Sequence, residues 1–342
     1  MDERATSTRG SEPEVIVHGG NLDEVSRCYP DAPTPWIDLS TGINPIAYPV
    51  PSPTAETWAR LPTRSDEQRL LAAAAAQYGV RVPASLVAAP GTQALLQIIP
   101  RLRVSGTVAV LGPTYEEHAQ CWRRAKHRVR LVDDVHGLED ADVAVVVNPN
   151  NPTGRIISRA ALVGLAARLD RRDGLLVVDE AFADMLAPDV SLAPELPPAT
   201  LVLRSFGKTY GLAGLRLGFA IGNAELAGRL RGELGPWAVS GPAIAIGTAA
   251  LADGDWLNDA RERLIADSRR LNALLIAAGC RIVGSTTLFL LAEHASAQAI
   301  AERLARHGIH VRRFPYNATW LRFGLPGNEA DWRRLEAALA AA

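Results

Sequence analysis

A chain of 342 residues and 36.6 kDa is long enough to bury the core of one large domain and a second, smaller one. Its 48% hydrophobic and 21% charged residues are ordinary for a globular protein, and a formal net charge of -1 gives no reason to expect nucleic acid or a membrane surface as partner. The three cysteines, Cys28, Cys121 and Cys280, lie far apart without metal-ligand spacing, so they read as reduced thiols of a cytoplasmic protein, with no metal site expected.

The opening residues, MDERATSTRGSEPE, are polar and lack the apolar core of a secretory signal, which reads as a tail. Val15 to Asn21, VIVHGGN, is a short apolar run ending in a glycine pair, and Asp38 to Pro45, DLSTGINP, reads as a strand giving way to a turn. Proline is frequent from Pro45 to Pro62, so an extended segment lying over another surface is expected. Glu67 to Tyr78 is alanine-rich and helical, with Gly79 as its C-cap. Leu86 to Ala89 is a strand, and Pro90-Gly91-Thr92-Gln93 after it is a glycine turn into a helix start, a junction that points free backbone N–H groups at an anion. Thr107 to Leu111 is the next strand, ending in Gly112-Pro113-Thr114-Tyr115.

Val143 to Val147 and Leu175 to Val178 are continuous apolar runs typical of strands buried in a parallel sheet. The first opens into the turn-rich Asn148 to Gly154, and the second delivers Asp179 at its carboxyl end. Leu201 to Leu203 leads into a polar turn that presents Ser205, Lys208 and Arg216 among the small residues Gly207, Gly211, Ala213 and Gly214. The uncharged run Leu234 to Ala252 nears membrane-spanning length, but prolines and glycines interrupt it and alanine dominates, which favours a loop and a packed helix. After Gly235 the pattern changes to a long amphipathic helix, Trp256 to Ala278, with short strands at Arg281 to Val283, Thr287 to Ala292, Ile309 to Arg313 and Thr319 to Phe323. Helices are expected at Ala297 to Arg306 and Glu329 to Ala341. The fold class is therefore α/β with a mainly parallel central sheet and a smaller α+β carboxyl-terminal domain. The boundaries are a tail and arm at 1–37, a large domain at 38–235 and a small domain at 236–342.

Ligands of open α/β sheets collect at the carboxyl ends of the strands, so Asn151, Asp179 and Lys208 are expected to converge there. A lysine held in such a pocket can lose its proton and attack a carbonyl, whereas a lysine in an ordinary βα loop is simply exposed. The motifs NNPTG at Asn150 to Gly154, VVDEAF at Val177 to Phe182 and SFGKTYGLAGLRLG at Ser205 to Gly218 resemble, in order and spacing, the fold-type I pyridoxal-phosphate enzymes of the class I/II aminotransferase group. The resemblance implies a Schiff base between Lys208 and the cofactor, Asp179 against the pyridinium nitrogen and Asn151 on the phenolic oxygen. It implies that Gly91, Thr92, Gln93, Ser205 and Arg216 hold the cofactor phosphate, with Tyr115 stacked on the ring. It further implies that Arg322, in WLRFG, grips the substrate α-carboxylate, with Asn44 approaching from the amino-terminal side.

Two positions depart from the common pattern of that group: Phe182 stands where a tyrosine usually supports the phenolic oxygen, and Leu61-Pro62 where a tyrosine usually reaches across a dimer. HGGN at His18 to Asn21, together with STGINP, DEAF and the RSFGK stretch, looks like the cobalamin-pathway branch, the L-threonine-O-3-phosphate decarboxylases. That branch implies loss of the α-carboxylate and reprotonation of Cα to give (R)-1-amino-2-propanol O-2-phosphate. His18 with the backbone of Gly19 and Gly20 is one candidate anchor for the substrate phosphate, and Arg204 is another. The alternatives are a histidinol-phosphate-type aminotransferase and a non-catalytic partner within a corrinoid-pathway complex. A homodimer is expected by resemblance, with other enzymes of the pathway as further candidate partners.

Overall fold

The computed structural model describes residues 19–186 and 188–340. In chain order its strands are β1 (Ile37–Leu39), β2 (Leu86–Ala89), β3 (Thr107–Leu111), β4 (Arg128–Val132), β5 (Val143–Val147), β6 (Leu175–Asp179), β7 (Thr200–Ser205), β8 (Gly218–Ile221), β9 (Arg281–Thr286), β10 (Phe289–Glu293), β11 (Ile309–Phe314) and β12 (Asn317–Phe323). Seven of them form the central sheet in the order β2-β8-β7-β6-β5-β3-β4, parallel except for β8, which runs against both its neighbours.

The sequences of β5 and β6 explain their central place. Every residue of VAVVV and LLVVD is buried, as required of strands covered on both faces. Successive residues feed opposite cores: Val146, Val178 and Val202 pack with Leu70 and Leu165 on one side, while Val145, Val177 and Leu203 pack with Leu95, Trp122 and Leu230 on the other. The edge strand β4 carries exposed Arg128 and Arg130, charges that discourage pairing with another chain. The helix Arg64–Tyr78 ends at Gly79 in the left-handed region (φ 68), as its glycine predicts.

The smaller sheet has the order β1-β11-β12-β10-β9 and is antiparallel apart from the β1–β11 pair. Asp38 and Leu39, grouped by sequence with the large domain, thus hydrogen-bond into the second sheet. Alternation identifies a strand but not the sheet it joins. The long helix runs from Gly254 to Ala277. The alanine-rich run forms the helix Gly241–Ala252, packed against Arg64–Tyr78. Among the described residues no helix is long and apolar enough to cross a membrane. Between Pro45 and Pro62 the chain is irregular except for the short helix Ala55–Ala59, capped by the Thr54 side chain on Thr57 N–H.

Candidate active site

The parallel strands open their carboxyl ends onto a cavity of about 300 Å3 that is closed on the other side by the turn after β1 and by β12. Asp179, the last residue of β6, is only 5% exposed. Its Oδ1 accepts the Ala181 N–H at 3.0 Å and its Oδ2 lies 2.9 Å from His118 Nε2. His118 is buried in the helix Glu116–Arg124, and its Nδ1 has no partner among the described residues. The sequence reading missed His118. The available signal was its spacing, one helical turn beyond Tyr115, whose ring meets the imidazole edge-on at 6.1 Å.

Lys208 sits on the short helix Phe206–Thr209 that follows β7 directly. Among the described residues Nζ makes no hydrogen bond, and it lies 4.9 Å from the centre of the Phe182 ring. Burial, then the positive charge of Arg322, push its pKa down to about 8, against the pull of Asp179. Near neutral pH a useful fraction of this amine is therefore free to act as a nucleophile.

At one end of the cavity Ser205, Thr92 and Gln93 share a wall with Arg216. Arg216 adopts a left-handed conformation (φ 55), and its Nη1 donates to Ala213 O at 3.1 Å. Gly91 adopts a φ of 81°, which favours glycine, and its bare backbone lets Arg216 Nη2 come within 2.7 Å of where a Cβ would stand. Gly218 serves the same end: a Cβ there would lie 2.6 Å from Thr92 N. The Gln93 side chain donates to Glu117 at 2.9 Å, and Tyr115, which lines the cavity, reaches Gln93 Oε1 at 3.4 Å.

At the opposite wall Arg322, on β12, is 7% exposed. Its Nη2 donates to Ser40 O at 2.6 Å, its Nη1 to Asn151 Oδ1, and its Nε has no partner. Directly across the β11–β12 pairing stands Arg312, on the same sheet face. Arg312 lines a side cavity of about 70 Å3 that shares Gly19, Tyr115, Asn151 and Arg322 with the main one. Among the described residues neither arginine closes an ion pair. Burial and then Arg312 lower the pKa of Arg322 to about 10. Two adjacent guanidinium groups, with Glu116 on the same side cavity as the carboxylate that acts on Arg312, make a candidate anion site. Sequence reasoning missed Arg312, because the pairing register that sets it opposite Arg322 is not visible in either strand alone.

Two expected contributors, Asn44 and Arg204, are placed elsewhere. Asn44 is buried but does not line the cavity: its Nδ2 donates to Thr209 O at 2.9 Å and its Oδ1 accepts from Arg263 at 3.3 Å. It ties the turn after β1 to the lysine helix, and Thr41, Gly42 and Ile43 face the cavity instead. Arg204 points into the protein, where it pairs with Glu180 Oε2 at 2.7 Å and with Asp184. It is no substrate anchor. Arg204→Ala should cost about 3–5 kcal/mol of stability in urea unfolding, because it strands two buried carboxylates; a loss under about 1 kcal/mol would show that the network does not carry this weight. His18 lies outside the described residues. Gly19 lines both cavities, while the Gly20 N–H donates to Ser40 Oγ at 2.7 Å.

These residues fit pyridoxal phosphate. A buried carboxylate for a protonated ring nitrogen, an amine of lowered pKa for an aldehyde and an arginine cradled against Gly91 for a phosphate surround one cavity, and Phe182 and Tyr115 supply ring-sized apolar walls. Among the described residues no group of His, Cys, Asp and Glu is placed to hold a metal ion.

Comparison with known proteins shows the family and the fold. The family description aminotransferase class I and II matches residues 54–339. The threonine-phosphate decarboxylase of Pseudomonas aeruginosa is 44% identical over 328 residues, covering 95% of this chain and 97% of the relative. That of Sinorhizobium sp is 43% identical over 330 residues, covering 95% and 98%. The crystal structure of histidinol-phosphate aminotransferase from Sinorhizobium meliloti in complex with pyridoxal-5'-phosphate superposes with a TM-score of 0.79 at 24% identity, over 98% of this chain and 97% of the other.

Proposed function

We propose that this chain, which belongs to the aminotransferase class I and II family, removes the α-carboxylate of L-threonine O-3-phosphate as carbon dioxide and releases (R)-1-amino-2-propanol O-2-phosphate. The observation that carries this reading is the pair Arg312 and Arg322. Two guanidinium groups on one sheet face, neither in an ion pair among the described residues, suit a substrate with two anionic ends, a carboxylate and a phosphate. The strong similarity to threonine-phosphate decarboxylases over nearly the whole chain supports it.

When bound, pyridoxal phosphate supplies the electron sink for the pair left behind as a bond at the substrate α-carbon breaks. The rest is work for the chain. Asp179, held by His118 and the Ala181 N–H, keeps a proton at the ring nitrogen. Arg322 fixes the carboxylate end of the substrate and Arg312 the phosphate end, so the substrate is gripped at two points and its Cα–carboxylate bond is set by both. As that bond breaks and carbon dioxide departs, the Lys208 ammonium delivers the proton that forms the new Cα–H bond. The cavity walls Phe182, Ala181 and Val147 keep water from competing as a proton source.

Incubating the holoenzyme with L-threonine O-3-phosphate should give carbon dioxide and the amine phosphate in equal amounts, with no keto acid. Keto acid formed only from histidinol phosphate plus 2-oxoglutarate would replace this reading with the aminotransferase, and silence on both would favour a non-catalytic pathway role.

We read the molecule as a cytoplasmic homodimer. Exposed Leu61 and Trp237, at 64% and 60%, line two surface hollows that share Pro62, Thr63 and Ile244, an area suited to a second copy. A sedimentation mass of twice 36.6 kDa checks this. All three cysteines are free thiols, which suits a reducing compartment.

A further inference from the structure

Lys208 and Arg322 stand on different sheets, and one stretch of chain holds both. Arg322 belongs to β12 of the smaller sheet, whereas Lys208 follows β7 of the central one. The segment from Ser40 to Tyr48 passes from the first to the second. At its start the Ser40 carbonyl accepts from Arg322 Nη2 at 2.6 Å. Further on it takes the three carbonyls at the end of the lysine helix: Asn44 N–H donates to Lys208 O at 2.8 Å, Asn44 Nδ2 to Thr209 O at 2.9 Å and Tyr48 N–H to Tyr210 O at 2.8 Å. A helix of four residues cannot satisfy these groups by itself. The two backbones lie in close contact, since a Cβ on Gly211 (φ 65) would stand 2.7 Å from Ala47 Cα and 2.7 Å from Asn44 O. Asn44 is buried, and its Oδ1 accepts from the Ile46 N–H at 3.0 Å and from Arg263 Nη2, on the helix Gly254–Ala277, at 3.3 Å.

We infer that Asn44 is a positioning residue: by tying the end of the lysine helix to the segment that also holds Arg322, it sets where the Lys208 amine stands relative to the substrate carboxylate. This rests on the decarboxylase reading above, in which the amine must reach the substrate α-carbon while Arg322 grips the carboxylate. Asn44 does not line the cavity, so it acts through Lys208 and not on the substrate. Of the three bonds to the lysine helix, the one to Thr209 O is made by a side chain and the other two by main-chain N–H groups, so it alone depends on the identity of the residue. A helix released at this point carries the amine away from the place where burial, Arg322 and Arg216 hold its pKa down against the pull of Asp179. The aim of the amine is then lost, while the grip of the two arginines on the substrate stays.

Three variants separate aim from general loosening of the segment. Asn44→Ala removes the bond to Thr209 O together with the two that Oδ1 accepts, whereas Asn44→Asp keeps an oxygen for Ile46 and Arg263 but has no N–H for Thr209 O. Tyr48→Phe cuts a different tie of the same segment, the Tyr48 hydroxyl on Asp253 Oδ2 at 3.2 Å, and spares every bond to the lysine helix. With L-threonine O-3-phosphate, N44A and N44D should each lose about tenfold or more in kcat with KM held within about twofold, and Y48F should change either by less than about twofold. A second readout needs no turnover: trace acetylation of Lys208 in the full chain freed of cofactor, followed by peptide mass spectrometry from pH 6.5 to 10. The midpoint of labelling against pH reads the pKa of the amine whatever its accessibility. It should rise from about 8 by about one unit in N44A and stay in place in Y48F. The inference is overturned if N44A or N44D falls short of the loss in kcat, if the loss appears in KM instead, if Y48F loses as much, or if the midpoint of N44A does not move. Absence of carbon dioxide from the unaltered enzyme would instead sink the decarboxylase reading, and the midpoint would still report whether Asn44 places the amine.

Discussion

Lys208→Met should abolish turnover and at the same time make the cofactor-free protein harder to unfold. The first effect follows from the two tasks of the amine, nucleophile toward the cofactor aldehyde and proton donor to Cα, and a loss of about 10^4-fold or more is expected. The second follows from its environment. The amine titrates at about 8 in the folded chain against 10.5 for a free lysine, because burial and Arg322 oppose its charge. Between those two values the unfolded chain binds more protons, so the stability of the unaltered protein rises with pH through this window, and the penalty is fully present below about pH 8. Each pKa unit is about 1.4 kcal/mol, and because the amine opens onto a cavity, about 2 kcal/mol is a reasonable discounted figure. Methionine has similar length and no charge to desolvate. In urea unfolding K208M should therefore be about 2 kcal/mol more stable at pH 7, with the advantage shrinking toward pH 10.5. An unaltered protein at least as stable as K208M at pH 7 would mean that the folded structure does not destabilise the ammonium.

The parts of this site that were legible in the sequence are those fixed by local rules. Val143–Val147 and Leu175–Asp179 announce central strands because both faces must be apolar, and a lysine or aspartate at the end of such a strand is thereby aimed at the ligand edge of the sheet. Gly91 was legible as a turn residue, though its φ of 81° and the close approach of the Arg216 guanidinium to it needed coordinates. What stayed hidden depends on pairing between distant segments. Arg312 acquires its role only through the register that sets it opposite Arg322, next to a bulge between Arg313 and Phe314. His118 is defined by a carboxylate 61 positions away. Arg204 is the instructive error, because strand alternation already puts it on the face opposite Ser205, which lines the cavity. Its partners Glu180 and Asp184 stand close to Asp179 in sequence, so a buried structural network was available as an explanation. Asn44 was read as facing the ligand, but its amide satisfies the backbone carbonyl of Thr209 and fixes the lysine helix from behind.

Arg312→Gln should separate the two anionic ends of the substrate. A guanidinium fork on a phosphate is worth about 2–3 kcal/mol, so kcat/KM for L-threonine O-3-phosphate should fall about a hundredfold, mostly in KM, while the affinity for unphosphorylated L-threonine should hardly change. Arg322→Gln should depress both substrates, since each carries the carboxylate. The variants also differ without turnover. In the unliganded protein Arg312 and Arg322 repel each other across the β11–β12 pair, and this repulsion helps lower the pKa of Arg322 to about 10. R312Q removes a charge that repels Arg322 and that Glu116 attracts, two effects of opposite sign, so it should unfold close to the temperature of the unaltered protein. Inorganic phosphate should raise the unfolding temperature of the unaltered protein and do so much less in R312Q, because an anion that binds only the folded state stabilises in proportion to its affinity. Equal losses of affinity in R312Q for L-threonine O-3-phosphate and for L-threonine would show that Arg312 acts through Arg322 or through packing. The phosphate anchor would then have to be sought among the other groups that line the side cavity.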